Sequence, residues 1–372
     1  MSADRFPASE WTTPRLRLRL FTEADVTPLV DTCNDPTIHY FLPHLPQPYT
    51  VGDAHDFLER AATAWQDGRA QWAIADVKTN EYLGSIGVPR VQPGYSSCEI
   101  GYLLAPWARN RGLATEAVTS VTSFLFTYGI ARSELHIALP NIASQRVALG
   151  AGYWRDGQLR GAITLEDGQR HERIIYSRLP DDPPGPAMRV LPDLPQGVLR
   201  DDRVVLRPLH PQDASALFAH FGLAESWRTS VPPIPPSRDS VDALCRYRAA
   251  DQWLSGVTAR MAIIDADTGA IAGSISLNLA GSMPTEAMIG YGLNREHRGL
   301  GLATRAVRLV TRWAFSIGFS RVCAGTTETN TQSQAVLRRA GFTPEGVRRK
   351  ILPSPDGGWI NDILWSRLVD DA

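Results

Sequence analysis

The segments Arg109-Asn110-Arg111-Gly112-Leu113-Ala114 and Arg298-Gly299-Leu300-Gly301-Leu302-Ala303 repeat one pattern of arginine, glycine and small residues, 189 positions apart. Each leads into a run with apolar residues at helical spacing, which predicts a turn at a helix N-terminus. There the first backbone N–H groups lack partners inside the helix, and the macrodipole adds about half a positive charge. Glycine and alanine keep bulky side chains away, so an anion such as a diphosphate can approach that backbone closely. Arg109 and Arg111 in one copy and Arg298 in the other would add charge-assisted bonds. A single copy reads equally well as an ordinary tight turn. Its survival in both copies, beside loops that have diverged, favours an anion site.

Residues suited to proton transfer accompany each turn. Glu99 opens the run Glu99-Ile100-Gly101-Tyr102-Leu103-Leu104, and a carboxylate near an amine can take its proton. In a strand it would share a face with Gly101 and Leu103, although a solvated strand-end glutamate fits the same residues. In the second copy Met288 stands at that position and cannot accept a proton. Glu286 precedes it on the same face, displaced by about 6–7 Å along the strand. Asn141 and Ser144 recur as Asn330 and Ser333, each pair followed by a glycine and an aromatic, Gly152-Tyr153 and Gly341-Phe342. Asparagine there is also a good helix N-cap, and serine a good early-helix residue. His39, His44, His136 and His171 occur only in the first copy. Of these, His39 and His44 fall in a proline-rich segment suited to substrate contact.

The elements that must hold these groups follow from the repeat. Gly84-Ser85-Ile86 matches Gly273-Ser274-Ile275, and Ser177-Arg178-Leu179 matches Ser366-Arg367-Leu368. A period of this length is too long for a solenoid repeat and right for a whole domain. We read domain one as 11–179, a proline-rich semi-rigid connector as 180–197, and domain two as 198–369. Each domain opens on a strand (Leu16–Leu20, Val204–Arg207), followed by a helix and a proline-rich loop (Phe41–Pro48, Val231–Pro236). Two strands are expected to meet at turns near Gly84 and Gly273, and a further strand leads to the arginine–glycine turn. The helix after that turn carries one apolar stripe and stops at Gly129 or Gly318. A closing strand–helix–strand order predicts a mixed, mostly antiparallel α/β sheet, which is not a Rossmann arrangement.

Composition narrows the partners. A net charge of −1 gives no reason to expect nucleic acid, and 43% apolar content lets each half bury a core. The four cysteines lack metal-ligand spacing and a disulfide pattern, so no metal is expected and the thiols should be reduced and structural. No signal peptide or membrane span is recognisable, so a cytoplasmic location is expected.

Arg109-x-x-Gly112-x-Ala114 and Arg298-x-x-Gly301-x-Ala303 resemble the (Gln/Arg)-x-x-Gly-x-(Gly/Ala) acetyl-CoA signature of the GNAT acyltransferase superfamily. The extension Ala114-Thr115-Glu116-Ala117 and the Asn141–Ser144 element resemble the branch that acetylates ribosomal-protein N-termini and aminoglycoside or amino-acid amines. The resemblance covers nearly all of both halves. It implies two tandem GNAT domains, each with a central splay between strands that holds acetyl-CoA. The diphosphate would sit on residues 109–114 or 298–303, with Asn110, Arg111, Leu113, Gly299, Leu300 and Leu302 contributing. Pantetheine would run along Tyr102-Leu103-Leu104 or Tyr291-Gly292-Leu293, with Asn141 or Asn330 holding its amides. Ser144 and Ser333 match the serine proposed to protonate the leaving thiolate, and Glu99, or Glu286 in the second copy, would be the base. The expected activity is direct acetyl transfer from acetyl-CoA to a primary amine on a small molecule or peptide N-terminus. The alternatives are one catalytic domain beside a non-catalytic acyl-CoA-binding domain, or another acyl donor such as aminoacyl-tRNA.

Overall fold

The computed structural model describes residues 6–92, 94, 96–228, 230, 232–279 and 285–371. The chain divides into two compact units between Met188 and Arg189. In the first, β1 (Trp11–Thr12), β2 (Leu16–Arg19), β3 (Ala70–Asp76), β4 (Tyr82–Gln92), β5 (Ser97–Leu104), β6 (Arg132–Ala138), β7 (Trp154–Thr164) and β8 (Arg170–Arg178) form one sheet. Its order is β1-β2-β3-β4-β5-β6-β8-β7, antiparallel throughout except for the parallel pair β5–β6. The second unit repeats it with β9 (Leu199–Arg200), β10 (Val204–Pro208), β11 (Thr258–Asp265), β12 (Ile271–Leu279), β13 (Glu286–Leu293), β14 (Arg321–Thr326), β15 (Thr343–Pro353) and β16 (Trp359–Leu368). Here β13 and β14 are the parallel pair. The mixed, mostly antiparallel sheet is as the sequence predicts.

Helices cover both faces of each sheet. The first unit has α1 (Val26–Cys33), α2 (Pro36–Phe41), α3 (Val51–Ala64), α4 (Leu113–Thr127) and α5 (Ile142–Gly150). The second has α6 (Ala214–Phe221), α7 (Ala224–Trp227), α8 (Arg238–Ala243), α9 (Ala249–Leu254), α10 (Leu302–Ser316) and α11 (Thr331–Arg339), with a π-helical turn, Leu244–Arg248, joining α8 to α9. The stripe on α4 buries Leu113, Ala117, Val118, Val121 and Leu125 against the sheet, and the matching stripe on α10 buries Leu302, Ala306, Val307 and Val310. Both helices end where Gly129 and Gly318 take left-handed backbone, φ +82° and +104°. The opposite sheet face carries a separate core: Leu29, Tyr49 and Ala73 in one unit, Leu217, Val241 and Cys245 in the other.

The two units brace the first turn of α4 and of α10 with opposite charges. Glu116 on α4 accepts from Thr13 Oγ1 at 2.5 Å and from Arg15 Nε at 2.6 Å. Arg305, at the matching place on α10, donates to Asp201 at 3.1 Å and Asp202 at 2.6 Å. The same strand–helix contact is thus kept with its polarity reversed.

Three features depart from the sequence reading or extend it. Gly84 and Gly273 lie inside β4 and β12, and the hairpin turns fall earlier, at 77–81 and 266–270. What requires glycine there is close approach: a Cβ would stand 2.3 Å from the Leu103 carbonyl oxygen or 2.0 Å from that of Gly292. The two-residue strands β1 and β9 are too short to show any periodicity. The connector is divided between the units: Ala187 N–H donates to the Leu149 carbonyl at 2.8 Å, while Leu191 and Leu194 are buried in the second core. Val231 of the second proline-rich loop lies outside the described residues. No helix among the described residues is long and apolar enough to cross a membrane.

Candidate active site

The parallel pairs open into wedges. β5 and β6 stay in register only through Ser97↔Arg132, Cys98↔Ser133 and Glu99↔Glu134. Beyond Glu99 they part, so Tyr102, Leu103 and Leu104 pair with β4 on one side and with no described strand on the other. β13 and β14 likewise pair through Met288↔Cys323 and part before Tyr291, Gly292 and Leu293. A strand edge left open in this way is a template for an extended ligand chain.

At the mouth of each wedge lies the glycine turn. Asn110 (φ +59°) and Gly112 (φ +73°) flank Arg111, and Gly299 (φ +81°) and Gly301 (φ +78°) flank Leu300. Closely spaced left-handed residues let successive N–H groups turn toward one concavity, a geometry suited to anions. Gly112 and Gly301 begin α4 and α10 with no side-chain cap, whereas Thr50, Asn141 and Asn330 cap α3, α5 and α11. The first-turn N–H groups, at Leu113 and Ala114 and at Leu302 and Ala303, are therefore left for a ligand. The space is open as well: a Cβ on Gly301 would meet nothing within 4 Å, and one on Gly112 only Arg15 Nη2, at 3.5 Å. These features fit a diphosphate.

Two of the arginines also brace the turn itself. Arg109 Nε donates to the Leu104 carbonyl at 3.3 Å and its Nη2 pairs with Asp35 at 2.7 Å. Arg298 Nε donates to the Leu293 carbonyl at 3.2 Å. Both tie the turn to the open strand end. Arg111 is exposed and, with Trp107 and Arg19, lines a cleft of about 760 Å³ beside the turn.

On the sheet face away from α4, the first unit gathers an acid–base array. Glu99, half-buried, has Oε2 3.6 Å from His136 Nδ1, and His136 Nε2 lies 2.8 Å from Glu134 Oε2. Arg132 in turn holds Glu134 at 2.7 Å and Asp156 at 2.6 Å. Burial raises the Glu134 carboxyl, but bonds from Arg132 and His136 outweigh it and hold the group below its ordinary range. With Nε2–H donated to Glu134, neutral His136 presents Nδ1 as an acceptor toward Glu99; protonated, it donates to both. Arg90, Gln92, Glu99, Glu134 and His136 surround a cavity of about 10 Å³, close to the least that holds one water molecule. Sequence reasoning passed over His136 because nothing local links it to Glu99. Only the β5–β6 register brings them together.

A family model for the acetyltransferase (GNAT) domain matches residues 15–153 and again 203–343. The chain belongs to the GNAT acetyltransferase family. It is similar to the uncharacterized N-acetyltransferase YoaA of Bacillus subtilis (strain 168), 30% identical over 176 residues that cover 46% of this chain and 96% of YoaA. The uncharacterized N-acetyltransferase p20 of Bacillus licheniformis is 28% identical over 156 residues, 41% of this chain and 85% of p20. Among solved structures, the ribosomal-protein-S5-alanine acetyltransferase from Vibrio fischeri matches at 22% identity and a TM-score of 0.41, covering 47% of this chain and 97% of that one.

In both GNAT units the asparagine caps the helix that follows. Asn141 Oδ1 accepts from Ser144 N–H, and Asn330 Oδ1 from Ser333 N–H, each at 3.1 Å. Each amide NH₂ remains as a donor. Asn141→Ala should therefore cost about 1 kcal/mol of stability in chemical unfolding, ligand or no ligand. Asn141→Asp keeps the cap and removes the donor, so it should weaken acetyl-CoA binding with the unfolding midpoint unchanged. Equal affinity in Asn141→Asp and parent would leave the residue a cap alone. The serine hydroxyls lie against the phenols of half-buried tyrosines: Tyr291 and Ser333 are 2.8 Å apart, and Tyr102 lies close to Ser144. Burial pushes Tyr102 up and Tyr291 up to about 12, so both keep their protons at neutral pH.

The second unit lacks the first unit's array. Met288 replaces Glu99, Cys323 replaces Glu134, and Gly325 replaces His136. Glu286 is engaged by Arg321 Nε at 2.7 Å, and Arg321 also holds Glu345. The space above Gly325 is filled instead by Asp362, whose Oδ1 would stand 2.7 Å from a Cβ there. Asp362 is buried and pairs with Arg348; burial raises its carboxyl above the ordinary value. Among the histidines of the first unit, His39 is buried in α2, His44 is exposed, and His171 bonds Asp167 at 2.9 Å.

Proposed function

We propose that the protein transfers an acetyl group from acetyl-CoA directly to a primary amine, on a small molecule or a peptide N-terminus, and that the first unit carries the turnover. The observation behind this is that the first unit alone combines an open wedge, an uncapped glycine turn and the Glu99–His136–Glu134 array.

The turn N–H groups of residues 110–114 and 299–303 would hold the diphosphate, and the open edges at 102–104 and 291–293 the pantetheine arm. Bound acetyl-CoA supplies the acetyl thioester. Glu99, reaching the amine through the small cavity beside it, takes its proton, and His136, held by Glu134, positions the carboxylate. Ser144 Oγ, beside the Tyr102 phenol, is the proton donor on the α5 side. Direct transfer is favoured over a cysteine relay because all four thiols are buried. Burial pushes Cys33 and Cys98 up to about 12 and Cys245 and Cys323 up to about 11, which leaves no thiolate to act as nucleophile.

In the second unit Glu286 is paired with Arg321 and Asp362 with Arg348, so proton removal there would fall to one of these engaged carboxylates or to a substrate that arrives neutral. This favours, as a second reading, a second unit that chiefly binds acyl-CoA. Screening acetyl-CoA consumption against an amine library, with products identified by mass, tests the whole assignment. Tight CoA binding with no amine acetylated in the library would overturn it.

A further inference from the structure

On the acceptor face of the second unit stands an arginine without a counter-ion. Arg260 lies on β11, whose neighbouring residues Ala259 and Met261 enter the core under α10, so Arg260 faces the other way. Its register partners run Arg260↔Ser276↔Gly290, which puts it on the same sheet face as Met288 and Gly290, two strands or about 10 Å from the wedge strand. The residue is half-buried, and its Nε is shut off from solvent with no hydrogen-bond partner. No carboxylate pairs with it among the described residues. The ionisable group beside it is Cys245 of the π-helical turn, a thiol that burial keeps protonated and uncharged. A desolvated guanidinium with nothing opposite it is unfavourable in the folded protein.

The first unit shows that the fold does not need this charge. There Gln71 occupies the matching position and lies across Gly87, in the space a Cβ on Gly87 would fill. In the second unit Ser276 replaces Gly87, and its hydroxyl approaches the Gly290 carbonyl at 3.4 Å. Asn278 donates to Ser276 and to the Met288 carbonyl, so a hydrogen-bonded polar floor adjoins the arginine. A π-helical turn at this level of the covering helix is also a frequent mark of a functional site.

We propose that Arg260 anchors an anionic group, a carboxylate or a phosphate, on the amine that enters the second unit. This rests on the assignment of that face to the acceptor. Arg is the side chain best suited to both anions, through paired N–H donors in one plane. The first unit, with Gln71 in the same place, should not share the preference.

The test uses the full chain and three amines of similar length: 4-aminobutanoate, 3-aminopropyl phosphate and the neutral 4-aminobutanamide. The Arg260 Nε–H resonance, identified by its loss in Arg260→Gln, should shift saturably with the acids and not with the amide; the acid with the lower midpoint identifies the group. In a Gly112→Glu background, acetylation by the second unit should favour the acid over the amide, and Arg260→Gln should reduce that ratio about tenfold or more. Arg260→Gln copies the first unit's own residue, so it should fold with an equal or higher Tm. No shift with either acid, or a lowered Tm with an unchanged ratio, would make Arg260 structural and overturn the anchor. A resonance shift without acetylation of any amine would retain the anchor and defeat acetyl transfer by the second unit.

Discussion

Gly112→Glu should abolish CoA binding to the first unit and leave the second intact, and Gly301→Glu should do the reverse. Both glycines sit in the left-handed region and open α4 and α10 with no capping side chain. Glutamate there puts a negative charge into a concavity that favours anions, beside N–H groups that would otherwise meet the diphosphate. It also adds backbone strain, typically about 1–2 kcal/mol for a side chain at such a φ. Gly112→Ala and Gly301→Ala share the strain without the charge and separate the two effects. Calorimetry should count two CoA per parent chain, one in each glutamate variant and two in each alanine variant. An unchanged count in a glutamate variant would remove the assignment for that unit. Turnover with a single neutral amine then ranks the units: it should fall sharply in Gly112→Glu, to the second unit's smaller share, and persist in Gly301→Glu. Collapse in Gly301→Glu alone would reverse the ranking.

Glu99→Gln should lower kcat by roughly 10²–10⁴-fold at neutral pH with acetyl-CoA affinity nearly unchanged. The substitution keeps the shape of the side chain beside His136 and removes its capacity to accept a proton. Because the carboxylate serves to deprotonate an ammonium, the defect should shrink as pH rises and free amine appears without help. His136→Asn should change the pH dependence of kcat more than its maximum, since His136 acts through Glu99. A Glu99→Gln enzyme with the parental pH–rate profile would leave the glutamate a strand-end residue.

The sequence by itself determined the duplication, the mixed α/β class, the helices behind the glycine turns and the turns themselves. These are local properties: a 3.6-residue stripe from Leu113 to Leu125, a helix-ending glycine at 129, and glycine and small residues gathered in one short segment. Reading them twice in one chain doubled their weight. Tertiary structure decided everything that depends on which strands lie side by side. The parallel register of β5 on β6 sets Glu99 against His136 and Glu134, and the matching register in the second unit sets Glu286 against Arg321. Gly84 looked like a turn because glycine favours turns, yet it is required by the carbonyl of Leu103 on the adjacent strand. Arg109 stands out in the sequence as a candidate phosphate ligand, and only the fold shows its bonds to Leu104 and Asp35. In Arg260 the sequence shows an ordinary strand arginine, and only the packed fold shows a buried Nε with no counter-ion. Backbone preference and periodicity act over a few residues and are written along the chain. Electrostatic partnership acts through space, and residues far apart in sequence become partners only when the sheet closes.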